Sequence, residues 1–302
     1  MADGVAPVSV VIAAYQAERT LGAALASALG QVPRPAEVIV VDDGSRDGTS
    51  AVARSYPGVR VIEQPNQGPS AARNTGIREA TQPWVAFLDA DDVWLAGKLA
   101  RQRSAQARHP DAVLLAGDRE PAGGARRRAP EPAGGRPRET RLGYRDLLLL
   151  NRFQTSTVQV RTEALSRCGG FDPTVDGAED WDLWLRCARL GPVVKLDVPL
   201  VMYREEPAGH GGNLGRLYSR MLLMLDRERV ETSLTATAFA QVLTWHYLRF
   251  ALAFLVAGQS ADARRTWREL RVAGLVGHVP AAAVRHLAPF LAGRMVRRLR
   301  GV

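Results

Sequence analysis

The sequence predicts an α/β protein with a mostly parallel sheet flanked by helices, followed by a helical extension. Short apolar runs typical of strands buried on both faces recur between segments with helical periodicity. The predicted strands are residues 8–12, 37–41, 59–62 and 84–88. The predicted helices between them are residues 19–29, 47–55 and 69–80. From residue 214 onward the apolar residues recur at helical spacing only.

The second half of the chain continues the α/β pattern for a shorter distance. A strand at 155–161, a helix at 180–190 and an extended segment at 192–201 are predicted. Between the two halves, residues 119–140 are rich in Pro, Gly and Arg and poor in large apolar residues, which is typical of a mobile surface loop. Beyond residue 210, the stretches 239–255 and 261–272 have the pattern of a helical hairpin.

Composition and cysteine usage favour a protein of the reducing cytoplasm. The 302 residues contain two cysteines, Cys168 and Cys187, whose spacing indicates neither a metal site nor a disulfide. We therefore interpret both as small buried apolar side chains. No signal peptide is evident, and the apolar stretch 250–258 is about half the length of a membrane-spanning helix.

Most of the positive charge lies near the end of the sequence. The formal net charge is +9, and residues 264–302 contribute nine arginines against Glu269 alone. Residues 285–300 alternate arginine with large apolar side chains, as a helix on an anionic membrane surface does. We expect peripheral contact with the inner face of the membrane, with a solvated arginine-rich helix as the alternative. Nucleic-acid binding is not favoured, because the segment lacks interleaved aromatic residues.

Polar side chains follow three of the predicted strands at the point where each strand ends. The carboxyl ends of parallel strands share one edge of the sheet, where α/β proteins bind ligands. Carboxylates crowded at one place repel each other unless a cation is bound, and oxygen ligands suit a divalent ion that bridges phosphates. The pattern predicts a site for a metal–diphosphate complex. The residues are Tyr15 after the first strand, Asp42 and Asp43 after the second, and Asp89, Asp91 and Asp92 after the fourth.

Each of these turns also has a simpler interpretation. Asp42-Asp43-Gly-Ser and Asp89-Ala-Asp-Asp are both good strand-to-helix turns whose carboxylates cap a helix. The segment 66–76 between them favours the ligand site, since a helix that starts at its Gly-Pro pair presents its amino terminus to an anion. Arg73 lies one turn into that helix and could reach a phosphate or a base.

Six segments occur together and in an order that resembles a known family. They are residues 8–15, 38–45, 66–76, 87–94, 168–172 and 179–186. The combination closely resembles the family 2 glycosyltransferases, which have the GT-A fold and invert the anomeric centre of the sugar. The resemblance extends over about residues 7 to 205, and agreement of six ordered segments is far more specific than any one of them.

The resemblance implies roles for the matching residues. Asp180 would be the general base, next to Glu179 and Trp181 on the acceptor side, and Asp91 would bind Mg²⁺ or Mn²⁺. The simpler interpretation of Glu179 and Asp180 is favourable charge in the first turn of a helix. The residues implied to bind the nucleotide-sugar donor are Ala13, Tyr15, Asp42, Asp43, Arg73, Asp89 and Ala90.

The sequence departs from the family pattern after the last predicted strand. Family members often have Tyr-Arg-x-His, with the histidine near the metal, whereas this chain has Tyr203-Arg-Glu-Glu and then His210. His210 is therefore a candidate metal ligand, with an ordinary loop residue as the alternative. The Gln-x-x-Arg-Trp signature of processive synthases is absent, which favours a transferase that adds a single sugar.

The resemblance also implies a division of the chain into domains. Residues 1–210 would form the GT-A domain, with a donor-binding part at about 1–115, the mobile loop, and an acceptor part at about 141–210. Residues 211–302 would form the helical extension. The expected function is transfer of a sugar from a nucleotide-sugar, a UDP-sugar by preference, to a hydroxyl of a carbohydrate or lipid-linked acceptor in cell-surface polysaccharide or glycolipid synthesis.

Two other classes of protein remain as alternatives. A nucleotidyltransferase on a similar sheet would usually carry a Gly-rich loop with a basic residue after the first strand, and residues 13–16 have neither. A dinucleotide-binding dehydrogenase would need Gly-x-Gly-x-x-Gly at the same place. The other class is a non-enzymatic binding protein that acts through its basic tail.

Overall fold

The structure, a computed structural model, describes residues 4–121, 137–203 and 214–275. The chain divides into two compact units, Met1–Gly209 and His210–Val302. Within the described residues the first unit contains all the strands, and the second is helical.

In the part of the chain that the structure describes, nine strands form one sheet in the order β3-β2-β1-β4-β8-β6-β9-β5, with β7 added beside β9. The pairs β3/β2, β2/β1, β1/β4 and β6/β9 are parallel, so the expected mostly parallel sheet is confirmed for the first half of the chain. The strands are β1 (Val5–Ala14), β2 (Arg34–Asp42), β3 (Val59–Glu63), β4 (Trp84–Asp89), β5 (Val93–Trp94), β6 (Leu114–Pro121), β7 (Glu139–Leu142), β8 (Gln159–Arg161) and β9 (Val193–Tyr203).

Helices cover both faces of the parallel strands. On one face, Leu21 and Leu25 belong to the same buried cluster as Val10 of β1. On the opposite face, Ala72 packs with Ile39 of β2. The helices of the first unit are α1 (Leu21–Leu29), α2 (Thr49–Arg54), α3 (Pro69–Glu79), α4 (Lys98–Arg108), α5 (Tyr144–Leu149), α6 (Thr162–Cys168) and α7 (Glu179–Ala188).

The sequence pattern located the first seven elements well and the middle of the chain poorly. The predicted strand at 155–161 is a 3₁₀ turn, Thr155–Thr157, followed by the short strand β8. Both ends of the predicted loop at 119–140 are strands. β6 continues to Pro121, and β7 begins at Glu139. Its residues 122–136 lie outside the described part of the chain.

The two cysteines are closer than their spacing suggested. Cys187 is buried, as expected, but Cys168 is only partly buried. Their Sγ atoms lie 3.8 Å apart as thiols, because α6 and α7 pack together. Sequence separation alone did not indicate this proximity.

The described part of the second unit consists of three helices, α8 (Leu214–Glu231), α9 (Ala236–Val256) and α10 (Ser260–Val272). α9 and α10 pack together as the predicted hairpin. Among the described residues, α9 alone is long and apolar enough to cross a membrane by length and composition, and 56% of its most apolar window is buried in the unit. α9 is longer than the apolar stretch 250–258 that the sequence indicated. The basic segment 285–300 lies outside the described residues.

Close packing of α3 on β1 depends on Gly76. A Cβ at this position would overlap Cγ1 of Val11, a stiff side chain in the buried centre of β1. The absence of a side chain therefore lets α3, which carries Arg73, approach the sheet closely.

We expect Gly76→Ala to lower the free energy of unfolding by about 1–3 kcal/mol, because the overlap outweighs the gain of about 1 kcal/mol in helix propensity. Urea unfolding followed by circular dichroism measures the change. Gly4→Ala is the control, since no atom lies within 4 Å of the Cβ that it would add. Equal stability of Gly76→Ala and the wild type would contradict this account of the packing.

Candidate active site

The ends of three neighbouring strands bring the first group of candidate residues together. In the register of the sheet, Ala14 of β1 pairs with Asp42 of β2, and Ala13 pairs with Asp89 of β4. Asp42 and Asp89 therefore lie on either side of the end of β1. The sequence predicted this shared edge from the order of the strands.

The turn after β2 is fixed by its own carboxylates. Asp42 accepts a hydrogen bond from the Ser45 amide at 2.9 Å. Asp43 accepts from the amides of Gln67 and Gly68, at 3.0 and 2.8 Å, in the residues that lead into α3. Both aspartates are buried and bind amides of the turn and of the residues before α3, whereas the N-caps of α2 and α3 are Gly48 and Gly68, so neither aspartate is the expected helix cap. The same contacts hold the start of α3 at the edge of the sheet.

Tyr15 stands at this edge with 53% of its surface exposed. The loop that carries it is held by the turn after β2, since the Gln16 amide donates to Ser45 Oγ at 2.9 Å and the Ala17 amide to Thr49 Oγ1 at 2.8 Å. Gln16 has a φ of 51°, in the left-handed region. An exposed ring on a fixed loop can stack against a flat ligand group.

Arg73 joins the end of β4 to the start of α7. Its Nη2 lies 2.7 Å from Asp89 Oδ1, and its Nη1 lies 3.3 Å from Glu179 Oε1. The guanidinium also lies over the ring of Phe171, 5.3 Å from the ring centre. Burial disfavours its charge, but Asp89 and Glu179 outweigh this effect and raise the pKa of Arg73. Arg73 is 8% exposed, so in this structure it orders the two carboxylates.

Asp180 is a partly buried carboxyl in the first turn of α7. Its Oδ2 accepts a hydrogen bond from Asn151 Nδ2 at 3.1 Å. Burial, together with the neighbouring Glu179 carboxylate, raises the pKa of Asp180 to about 7. A carboxylate with a pKa close to neutrality is suited to accept a proton.

Glu179 and Trp181, the other two candidate residues of α7, make contacts within the protein. Glu179 accepts from the Gly177 amide at 2.6 Å in addition to its ion pair with Arg73. Trp181 is 4% exposed, and its Nε1 donates to the Leu147 carbonyl at 2.7 Å. In this structure both residues fix the position of α7, and neither exposes a broad surface to an acceptor.

Sequence reasoning missed the segment that precedes β8. Asn151 binds Asp180, while Gln154 Nε2 donates to Asp92 Oδ2 at 3.3 Å. Ser156 Oγ donates to the same oxygen of Asp92 at 2.6 Å and accepts from the Asp89 amide at 3.0 Å. The segment thus supports both the turn after β4 and the candidate base. Its run of polar residues beside Phe153 was the only sequence signal, and it resembles an ordinary loop.

The turn after β4 has a donor set that fits a metal–diphosphate complex. Among the described residues, no group of three or more His, Cys, Asp and Glu side chains is placed to hold a metal by itself. A Mg²⁺ or Mn²⁺ ion bound to a diphosphate needs only one or two protein carboxylates, because phosphates and waters complete its shell. Asp91 is partly exposed beside the buried Ala90, so it can provide such a ligand. His210 lies outside the described residues.

Comparison with known proteins identifies the family. Residues 9–172 match glycosyl transferase family 2, and the chain belongs to this family. It is 42% identical over 102 residues to the succinoglycan biosynthesis protein ExoO of Rhizobium meliloti, covering 33% of this chain and 29% of that protein. It is 37% identical over 100 residues to the UDP-Glc:alpha-D-GlcNAc-diphosphoundecaprenol beta-1,3-glucosyltransferase WfgD of Escherichia coli, covering 32% of this chain and 40% of that protein. The matches thus span well under half of these relatives.

Solved structures of similar fold support the GT-A assignment. The S. aureus TarS structure in complex with UDP-GlcNAc has a TM-score of 0.67 at 20% identity, covering 91% of this chain and 82% of that chain. The mannosyltransferase PcManGT from Pyrobaculum calidifontis, in complex with GDP-Man and Mn²⁺, has a TM-score of 0.61 at 22% identity, covering 97% and 87%. The expected fold is confirmed, and family membership favours a glycosyltransferase over the nucleotidyltransferase and tail-only binding alternatives.

The raised pKa of Asp180 leads to a prediction about stability. The folded state favours the protonated form of Asp180, so ionisation of this carboxyl destabilises the fold. This loss of stability is absent below about pH 4, grows as the pH rises and is complete above about pH 7. Asp180→Asn keeps a neutral hydrogen-bond acceptor. We expect it to raise the midpoint of thermal unfolding at pH 8 and to have little effect at pH 4.

Asp111→Asn provides the control for this measurement. A hydrogen bond from Arg141 lowers the pKa of Asp111, so its ionised form is favoured in the folded state. Asp111→Asn should therefore leave the midpoint at pH 8 unchanged or lower it. A lower midpoint for Asp180→Asn at pH 8 would show that the ionised Asp180 carboxyl does not destabilise the fold.

Proposed function

We propose that this protein transfers a sugar from a UDP-sugar to a hydroxyl acceptor, with inversion at the anomeric carbon and with help from a divalent metal. The observation that carries the proposal is the position of Asp180, a carboxyl with a pKa of about 7 that the Glu179–Arg73–Asp89 ion pairs connect to the ligand-binding edge of the sheet. A base and a nucleotide site linked in this way suit direct displacement at a donor sugar.

The donor would lie across the ends of β1, β2 and β4. Tyr15 would stack on the base, Asp42 would lie near the base and ribose, and Asp89 would contact the ribose. The UDP preference rests on similarity to WfgD, named as using UDP-Glc, and to TarS, solved with UDP-GlcNAc. Their names and that of ExoO favour a role in cell-surface polysaccharide or glycolipid synthesis.

Asp91 would hold the metal ion at the diphosphate. When bound, the ion would stabilise the negative charge on the leaving diphosphate. PcManGT, which was solved with Mn²⁺, supports this choice of cofactor. Ala90, with its small side chain between Asp89 and Asp91, would leave room for the donor.

Asp180 would accept the proton of the acceptor hydroxyl. As that O–H bond breaks, the hydroxyl oxygen forms a bond to the anomeric carbon, and the bond from that carbon to the diphosphate oxygen breaks. The nucleoside diphosphate leaves with the electron pair, and attack from the opposite side inverts the configuration. Asn151 would orient the carboxyl of Asp180, and Arg73 would hold Glu179 in place beside it.

We expect Asp91→Asn to abolish the metal-dependent part of nucleotide binding, because an amide is a much weaker ligand for Mn²⁺ than a carboxylate. Isothermal titration of UDP with and without Mn²⁺ measures the change. Asp111→Asn serves as the control, since it makes the same substitution at an exposed ion pair with Arg141. An unchanged effect of Mn²⁺ in Asp91→Asn would rule out Asp91 as the ligand.

Asp180→Asn should bind UDP like the wild type and transfer sugar about 10²–10⁴-fold more slowly, the usual contribution of a positioned base. In the wild type, kcat/KM should rise with pH through about 7 as Asp180 loses its proton, and then level off. The rate of the variant should not show this step. The proposed mechanism fails if Asp180→Asn keeps full activity with the same pH profile.

A further inference from the structure

A cavity of about 320 Å³ adjoins the segment that holds the candidate base. Its volume is at the lower end of the range of about 300–1,000 Å³ for small-molecule sites. Asn151 belongs to its wall and also donates a hydrogen bond to Asp180. The cavity is therefore separated from the base by one side chain. The lining residues are Thr140, Leu142, Leu150, Asn151, Arg152, Lys195 and Asp197.

The two basic side chains of the cavity differ in their surroundings. Lys195 Nζ lies 2.9 Å from Asp197 and 2.5 Å from Asp118, so carboxylates of the protein already balance its charge. Arg152 Nε is buried, and the described residues provide it with no hydrogen-bond partner. A buried donor without a partner is costly in a folded protein. Since Nε itself is out of reach, a ligand in the cavity would bind the two terminal nitrogens of the guanidinium.

The chemistry of Arg152 indicates the kind of ligand. A guanidinium binds carboxylate and phosphate groups through paired hydrogen bonds, and these bonds strengthen where water is excluded. Leu142 and Leu150 add an apolar part to the wall, against which the carbon–hydrogen face of a sugar ring can pack. Thr140 and Asn151 provide polar groups for hydroxyls.

We propose that this cavity binds the acceptor, and that Arg152 pairs with an anionic group, a carboxylate or a phosphate, carried by the acceptor sugar. The inference rests on the proposed function, because it takes Asp180 as the base that receives the acceptor's proton. Binding of the anion at Arg152 fixes one end of the acceptor in the cavity, and the reactive hydroxyl at its other end would reach past Asn151 to Asp180. Acidic or phosphorylated acceptors are thereby preferred over neutral ones.

The test measures binding of three probes to the full chain saturated with UDP and Mn²⁺, so that phosphate cannot enter the donor site. The probes are D-glucuronate, glucose 1-phosphate and the neutral methyl glucoside. Ligand-observed NMR measures the affinity of each. We expect the wild type to bind at least one anionic probe about tenfold more tightly than methyl glucoside. The two anionic probes distinguish a carboxylate from a phosphate.

Arg152→Gln should lose this preference and bind all three probes with similar affinity. Arg152→Lys, which keeps the charge without the planar guanidinium, should retain part of it and provides a second test if the glutamine variant folds poorly. Arg34→Gln, which removes a charge from an exposed position at the start of β2, should behave like the wild type.

Two results would overturn the inference: equal binding of anionic and neutral probes by the wild type, or an unchanged preference in Arg152→Gln. Nucleotide binding is measured on the same samples. If the wild type fails to bind UDP, the proposed function fails, and that result is separate from the preference among probes. If Arg152→Gln binds UDP normally and loses only the preference for anions, the acceptor assignment is supported.

Discussion

The ion pairs of Arg73 organise the candidate site. One guanidinium contacts Asp89 at the end of β4 and Glu179 at the start of α7, two residues 90 positions apart in the sequence. The side chain is largely buried, so these attractions are weakly screened by solvent and salt. Loss of Arg73 would leave both carboxylates without a positive partner at this place. The sheet edge at the end of β4 and the helix that carries the candidate base are therefore held in one arrangement.

Neighbouring contacts make that arrangement rigid. Asn74, next to Arg73 in α3, donates to the Phe171 carbonyl at 2.8 Å and accepts from the Phe171 amide at 2.7 Å. The Phe171 ring packs edge-on against Trp184 of α7, with ring centres 5.9 Å apart. Two side chains of α3 thus hold this region: Asn74 binds the backbone of the segment before α7, and Arg73 binds α7 itself. Gly76 allows this helix to lie close to β1.

The sequence predicted the parts of the site that depend on sheet register and missed those that depend on tertiary contacts. Asp42 and Asp89 follow buried apolar runs, and adjacent parallel strands must bring such positions to one edge. Asn151 and Ser156 contact aspartates that lie 29 and 64 residues away in the sequence, Asp180 and Asp92. No local pattern encodes such contacts. For Arg73, the sequence suggested a phosphate or a base as the partner, whereas its partners in the structure are carboxylates of the protein.

The environment of Asp180 shows why the proposed base destabilises the fold in its ionised form. The burial and the nearby Glu179 that raise its pKa to about 7 also disfavour its ionised form, which is the form that can accept a proton. A fully solvated carboxylate would be cheaper but a much weaker base. Arg73 limits the cost, because its positive charge opposes the repulsion between Glu179 and Asp180. The same guanidinium that positions α7 therefore also opposes the rise in the pKa of Asp180, and this links the stability of the site to its proposed chemistry.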